Sequence, residues 1–104
     1  MINAVAVITG KPGTGDQLEP ALRELAAATH GEQGCILYSV QRGLAEPDTY
    51  VTVEKWHSQE DLDAHLQTPH VAAAIGAATP LLARELQILA TAELDAGDAA
   101  KNTF

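Results

Sequence analysis

The residues best suited to chemistry gather in one short segment, residues 53–72. This segment holds the only tryptophan of the chain and three of its four histidines. A histidine near its usual pKa of about 6.5 can accept a proton at neutral pH. A carboxylate behind the ring fixes the tautomer and stabilises the imidazolium. The segment therefore predicts a proton-transfer site with His65, His70 and Glu54 as candidate catalytic residues.

The spacing of these residues predicts that they surround one cavity. Glu54 and Trp56 share a face of the predicted strand 49–56, because alternate side chains of a strand point the same way. His65 lies on the apolar face of the next predicted helix and is expected to point inward. His70 follows five residues later. We expect the four side chains to meet between the sheet and the helices.

Aromatic side chains are the expected substrate-binding residues. Trp56 offers a flat surface for a planar ring, and Tyr38 and Tyr50 are candidates to line the same cavity. Removing a proton from a phenol of pKa about 10 with a histidine base is uphill by roughly 3.5 units, or about 4.8 kcal/mol. A site for such a substrate must therefore also stabilise the phenolate.

Each candidate residue also has a structural interpretation, which the sequence leaves open. Glu54 can be an ion-pair partner, Trp56 a core residue, and His65 a buried histidine with satisfied hydrogen bonds. His70 can be exposed near a helix start. Structural roles are the expected ones for four other residues, namely His57 in a solvated turn, His30 at a helix end, Cys35 as a buried thiol and Asn3 at a strand edge.

The sequence shows no metal or cofactor motif. His65 and His70 are five residues apart with Pro69 between them, which is not a usual zinc pair, and no third ligand is evident. The glycine-rich turn 11–15 follows a strand but lacks the phosphate-binding patterns GxGxxG and GxxxxGK(S/T). We therefore expect no metal and no cofactor.

Composition limits the classes of protein to which the chain can belong. Its 104 residues suit one domain. A net charge of −8 repels phosphate backbones, so we expect no nucleic-acid partner. The single cysteine cannot form an intramolecular disulfide, which fits a reducing cytoplasm. The apolar N-terminus is short and lacks signal-peptide features, and no apolar run approaches the roughly 20 residues that span a membrane.

The candidate residues are positioned by a predicted β-α-β-β-α-β order of elements. The predicted strands are residues 4–9, 35–42, 49–56 and 86–94, and the first helix is residues 16–29. Pro20 is expected to delay or kink that helix. Ser58 caps a second helix, and Thr68 followed by Pro69 starts a third that ends near residue 78. The tail from Asp95 is polar and is expected to be mobile or to lie on a partner.

This order predicts a ferredoxin-like α+β fold, in which helices cover one face of a four-stranded antiparallel sheet. The other face carries many apolar side chains that no predicted helix covers. A second copy of the chain is the expected cover, so the sequence predicts a homodimer.

Several short motifs, taken in order, resemble one family. They are Lys11-Pro12-Gly13, Gly34-Cys35 with Tyr38, Glu54-Lys55-Trp56, His65, and Thr68-Pro69-His70-Val71. Together they resemble the antibiotic biosynthesis monooxygenase domain, and most of all its small quinol-monooxygenase-like members. The resemblance covers about residues 2–94, which predicts a domain over residues 1–94. Residues 95–104 are the predicted tail or dimer arm, similar to the family's Gly-Asp-Pro-x-Lys arm with Ala99 in place of the proline.

The resemblance implies a homodimer whose sheets pack face to face in an α+β barrel, with one pocket in each subunit. Several members of the family oxidise hydroquinones or polyphenols with O₂ and without flavin, metal or haem. By this resemblance Glu54, Trp56, His65 and His70 occupy pocket positions. The expected function is cofactor-independent oxidation of a hydroxylated aromatic compound, with His65 as the base, His70 as second choice, and Glu54 orienting the base.

Three other functions remain open at this point. Some relatives are isomerases of small hydroxyketones, which would use the same base for enolisation. Others are haem-degrading proteins that use an Asn, a Trp and a His, and Asn3 with Trp56 would supply part of that set. A haem- or quinone-binding protein without turnover is therefore a further alternative.

Overall fold

A computed structural model describes all 104 residues and contains one four-stranded antiparallel sheet. The strands are β1 (Ile2–Thr9), β2 (Cys35–Arg42), β3 (Thr49–Trp56) and β4 (Gln87–Thr91). The helices are α1 (Gly15–His30), α2 (Gln59–Leu66), α3 (Pro69–Ala78) and α4 (Ala99–Asn102), with a 3-10 turn over Thr79–Leu81. The strand order β2-β3-β1-β4 places the apolar strand β1 inside the sheet. The predicted ferredoxin-like α+β fold is confirmed.

The core lies between the sheet and the helices. Strand β3 alternates strictly, with Tyr50, Thr52, Glu54 and Trp56 buried and the residues between them only half-buried. These buried side chains face α1, which contributes a stripe of leucines spaced three and four residues apart. The leucines of this stripe are Leu18, Leu22 and Leu25. Two of the predicted site residues, Glu54 and Trp56, are therefore part of the core layer.

Helix α1 is not delayed by Pro20. It starts at Gly15 and contains Pro20, so the expected late start is not observed. Asp48, in the turn between β2 and β3, accepts hydrogen bonds from the backbone N–H groups of Gly13 at 2.9 Å and Gly15 at 2.8 Å. These two bonds lower the pKa of Asp48 and satisfy donors at the helix start.

The caps of α2 and α3 are the predicted ones. The Ser58 hydroxyl accepts a hydrogen bond from the Asp61 backbone N–H at 3.1 Å. The Thr68 hydroxyl accepts one from Val71 at 3.3 Å and donates one to the carbonyl of His65 at 2.7 Å. Thr68 thereby ties the end of α2 to the start of α3. The last strand is shorter than predicted, since it ends at Thr91.

The face of the sheet away from α1, α2 and α3 is called here the open face. Its centre is formed by Val5, Val7, Val51 and Val53, all of them half-buried. Leu89 of β4 pairs with Val5 on the same face and is 65% exposed. The open face is therefore apolar at its centre and has no helix packed on it there.

The C-terminal tail lies against its own chain at one end of the sheet. Asp98 caps α4 by accepting a hydrogen bond from Ala100 at 2.9 Å. Lys55 of β3 donates to the carbonyl of Phe104 at 2.5 Å and pairs with Glu93 at 3.4 Å. None of the helices has the length and apolar character that crossing a membrane requires.

Candidate functional site

His65 is the centre of the candidate site. It lies in the last turn of α2 and is 3% exposed, so its ring is enclosed by protein. Its Nδ1 atom is 2.6 Å from Oε2 of Glu32. An ionised carboxylate only accepts hydrogen bonds, so the nitrogen that faces it donates. In the neutral ring the other nitrogen, Nε2, then carries the lone pair and is the basic atom.

His70 shares the same carboxylate oxygen. It lies in the first turn of α3, directly after Pro69, and its Nε2 atom is 2.8 Å from Oε2 of Glu32. The His70 side chain is 26% exposed, whereas that of His65 is 4% exposed. The structure therefore brings the two predicted histidines together and leaves one of them in contact with solvent.

Glu32 is the functional candidate that sequence reasoning missed. It lies in the loop between α1 and β2, where its N–H donates to Thr29 at 2.9 Å and its carbonyl accepts from Cys35 at 3.1 Å. Gly34 in the same loop is so close to α2 that a Cβ there would lie 2.4 Å from Cγ of Asp61. This close approach holds the Glu32 loop against the helix that carries His65.

Two aromatic rings enclose His65. The centroid of the Trp56 ring is 4.6 Å from that of His65, with 40° between the planes, and the Tyr38 ring is at 5.6 Å and 55°. Trp56 has no exposed surface. Burial, followed by the charge of Glu54, raises the pKa of Tyr38 well above its usual range, so its phenol is neutral at physiological pH. The rings of Trp56 and Tyr38 therefore form an uncharged aromatic surface beside the imidazole.

Glu54 does not have the predicted contact with a histidine. It is 4% exposed, and its two oxygens accept hydrogen bonds from Trp56 Nε1 at 3.0 Å and Thr52 Oγ1 at 2.7 Å. The carboxylate that faces His65 is that of Glu32 instead. Because Glu54 accepts from the indole of Trp56, it fixes the orientation of the ring that lies against His65.

Tyr50 is not part of this cluster. It lies six residues before Trp56 on β3, about 20 Å away along the strand. Its hydroxyl donates to the carbonyl of Gly15 at 2.9 Å, and the guanidinium of Arg42 lies 5.3 Å from its ring centroid. Tyr50 therefore does not lie beside Trp56, because the strand carries the two side chains to opposite ends of the sheet.

Two cavities flank the cluster without opening onto His65. A cavity of about 570 Å³ lies between α1 and β2 and is lined by residues that include His30, Tyr38 and Tyr50. A smaller one of about 290 Å³ lies between α1 and α3 and includes His70. Tyr38 lines the first cavity and also contacts the His65 ring. It is therefore the side chain that separates that cavity from the imidazole.

The other residues considered from the sequence have structural surroundings. His30, in the last turn of α1, bonds through Nε2 to the carbonyl of Tyr38 at 2.8 Å. Cys35 is half-buried, and burial, then the charges of nearby carboxylates, raise the pKa of its thiol. Asn3 is buried but pairs with Lys55, so it faces the side of the sheet opposite Trp56. The Asn, Trp and His set of haem-degrading relatives is not assembled here.

Comparison with known proteins gives one family and many similar folds. A family described as antibiotic biosynthesis monooxygenase matches residues 1–77. A crystal structure of an antibiotic biosynthesis monooxygenase superposes with a TM-score of 0.85 at 23% identity, covering 90% of this chain and 99% of that one. At this identity the likeness establishes the fold.

Two further solved structures have higher sequence identity. A Deinococcus radiodurans protein named for the same family is 30% identical, with a TM-score of 0.80 and 95% of each chain covered. PA3566 from Pseudomonas aeruginosa is 27% identical, with a TM-score of 0.82, covering 89% of this chain and 93% of that one. None of the curated proteins matches the chain in sequence.

Proposed function

The chain belongs to the antibiotic biosynthesis monooxygenase family, and from this premise we propose that it oxidises an electron-rich hydroxylated aromatic compound, a quinol or polyphenol, with O₂. The proposal needs no bound cofactor, because a deprotonated quinol is itself a strong enough electron donor to reduce O₂. The protein then has to supply a base, a ring-shaped site and a position for the developing charge.

The hydrogen bond between Glu32 and His65 carries this proposal. It directs the proton of the neutral imidazole to Nδ1, toward the carboxylate, and leaves Nε2 as the base. When Nε2 takes a proton, the imidazolium is stabilised by the carboxylate 2.6 Å away. Glu32 therefore has the role that the sequence assigned to Glu54.

The reaction balances without any other redox partner. His65 removes a hydroxyl proton from the substrate, and the anion passes one electron to O₂, which gives superoxide and a substrate radical. The two radicals combine into a C–O bond, and the imidazolium returns the proton to the peroxide. Loss of water from the peroxide, with the hydrogen of the attacked carbon, leaves a carbonyl. A hydroquinone and O₂ thus become a hydroxyquinone and water.

The cavity between α1 and β2 is the proposed entrance for the substrate. Its volume of about 570 Å³ lies in the usual range for ligand pockets of about 300–1,000 Å³. Since Tyr38 is 7% exposed and lies between this cavity and His65, a rotation of its ring would connect the two. The substrate ring would then lie between Tyr38 and Trp56, with a hydroxyl at Nε2 of His65.

We also propose that the working form is a homodimer joined through the open face. The apolar centre of this face, with Val5, Val7, Val51 and Val53, has no cover within the chain. A second copy would bury it by two-fold packing of sheet on sheet. The candidate site lies on the other face, so each subunit would keep its own site.

The test of the proposed function is oxygen uptake by the pure, metal-stripped protein with a panel of hydroquinones and polyphenols, corrected for autoxidation. Uptake that saturates with substrate, together with one ¹⁸O atom from ¹⁸O₂ in the product, is the expected result. If uptake never exceeds the protein-free control across the panel, the monooxygenase proposal fails. Substrate conversion that does not depend on oxygen would favour the isomerase.

A further inference from the structure

Three ligand atoms of the types that bind transition metals converge at the candidate site. Nδ1 of His65, Nε2 of His70 and a carboxylate oxygen of Glu32 all lie within 4.8 Å of one another. From this geometry we propose that Glu32, His65 and His70 form a binding site for one divalent transition-metal ion, with Zn²⁺ as the best match. The sequence does not predict this site, because its third ligand comes from a loop more than 30 residues before the histidines.

The donor set suits such an ion. Two imidazole nitrogens and one carboxylate oxygen are common protein ligands of zinc, and three protein ligands leave a fourth position for water. The ion has a route in from solvent, since the His70 side chain is 26% exposed. The rings of Trp56 and Tyr38 pack against the His65 ring and restrict its rotation, which fixes the direction of its Nδ1 atom.

The three ligand atoms would have to move to hold the ion. In a tetrahedral site with bonds of about 2.0–2.1 Å, neighbouring ligand atoms are about 3.3–3.4 Å apart. The two contacts of Glu32, now 2.6 Å and 2.8 Å, would therefore open by roughly 0.5–0.8 Å. Glu32 lies in a loop and has a flexible side chain, so it can withdraw by this amount. The two histidine nitrogens, up to 4.8 Å apart, would have to approach each other by as much as about 1.4–1.5 Å, and the partly exposed ring of His70 is the one that would rotate.

The charges also favour a cation. An ionised Glu32 and two neutral imidazoles carry a net charge of −1, and Glu32 forms no ion pair with a lysine or an arginine. The whole chain carries −8. A divalent ion would take the place of the two N–H protons that now face Glu32. The negative charge of the site favours this exchange.

Metal binding would have a direct consequence for the base, and this step rests on the proposed function. An ion on Nδ1 of His65 displaces the proton from that nitrogen, so the proton of the neutral ring must then lie on Nε2. Nε2 would change from a proton acceptor into a donor. The bound ion would thus act as an inhibitor of the proton transfer rather than as a cofactor.

Metal binding is tested by calorimetric titration of the chelator-treated protein with Zn²⁺, and by visible absorption with Co²⁺, whose tetrahedral complexes absorb strongly. We expect one ion per chain. Glu32→Gln and His70→Ala should each weaken binding by at least about tenfold, while His57→Ala, which removes an exposed histidine outside the cluster, should leave it unchanged. Binding that is absent in the unaltered protein, or equally tight in both cluster variants, would overturn the proposal.

The same preparations separate this inference from the proposed function. If Zn²⁺ binds at the cluster but no oxygen uptake occurs even in metal-stripped protein, the metal-site proposal is supported and the monooxygenase proposal is wrong. If metal-stripped protein is active and added Zn²⁺ neither binds nor inhibits, the metal-site proposal is wrong and the monooxygenase proposal is supported. Inhibition by Zn²⁺ that persists in His70→Ala with unchanged potency would also count against the site.

Discussion

The Nδ1 atom of His65 lies 2.6 Å from Oε2 of Glu32, although the two residues are 33 positions apart in the chain. The contact joins the loop after α1 to the end of α2. It orients a buried imidazole whose other side faces the rings of Trp56 and Tyr38. The imidazole, the carboxylate that orients it and the two aromatic rings beside it thus come from four different parts of the fold.

Glu32→Gln is expected to lower turnover by about tenfold or more. The amide keeps the shape of the side chain but removes the negative charge that stabilises the imidazolium of His65. We expect kcat to fall more than KM changes, because the charge matters most when the proton is transferred. Glu46→Gln is the matched control, since Glu46 is exposed in the β2–β3 turn. Equal kcat in the two variants would contradict the role of Glu32.

Two substitutions of Glu54 separate a structural role from a catalytic one. Glu54→Gln can still accept from Trp56 Nε1 and donate to a rotated Thr52 hydroxyl, so stability and turnover should each change little, with turnover within about threefold. Glu54→Ala leaves the buried indole N–H without a partner and should lower the free energy of unfolding by about 1–3 kcal/mol. Urea denaturation and oxygen uptake measure the two effects. A loss of turnover of about a hundredfold in Glu54→Gln would restore Glu54 as a catalytic residue.

Stability should fall at alkaline pH because of Tyr38. Burial raises its pKa in the folded protein above the usual value of about 10. A raised pKa favours folding below the unfolded value, and this contribution is lost as the pH rises from about 10 upward. We expect the free energy of unfolding to drop more steeply above about pH 10 in the unaltered protein than in Tyr38→Phe. The free energy of unfolding is measured by urea denaturation at each pH. If its dependence on pH is the same in the two proteins, Tyr38 does not titrate in this way.

The oligomeric state should depend on the open face. Val53→Lys places a charge at its apolar centre and should convert a dimer into a monomer, because burying an unpaired charge is costly. Leu44→Lys is the control, since Leu44 is fully exposed in the β2–β3 turn, away from that face. Light scattering behind a sizing column measures both. A dimer that survives Val53→Lys would place the interface elsewhere.

The fold was predictable because its signals are local. Alternation along β3, the caps Ser58 and Thr68, and the leucine stripe of α1 each depend on neighbours within a few residues. Pro20 does not delay the start of α1, because the packing of the helix outweighs the loss of one backbone hydrogen bond. The short helix α4 was missed because it has only four residues and depends on the Asp98 cap.

The site was only partly predictable because its central contact is not local. His65, His70 and Trp56 could be grouped from one segment of the sequence, and the structure brings them together. Glu32 lies in an ordinary loop between two glycines, and no spacing relates it to α2. The sequence predicts Glu54 as the partner of His65 because the two residues are near each other in the chain, but the strand position of Glu54 directs it toward Trp56 and Thr52.

The most direct test of the central claim is oxygen uptake by His65→Ala beside His57→Ala, with the best substrate of the hydroquinone panel and metal-free protein. If His65 is the base, its replacement should lower kcat by about 10²–10⁴-fold. His57→Ala should stay within about threefold of the unaltered protein, since His57 is exposed and outside the cluster. A His65→Ala protein that folds normally and keeps turnover within about threefold would contradict the claim that the Glu32–His65 pair performs the proton transfer.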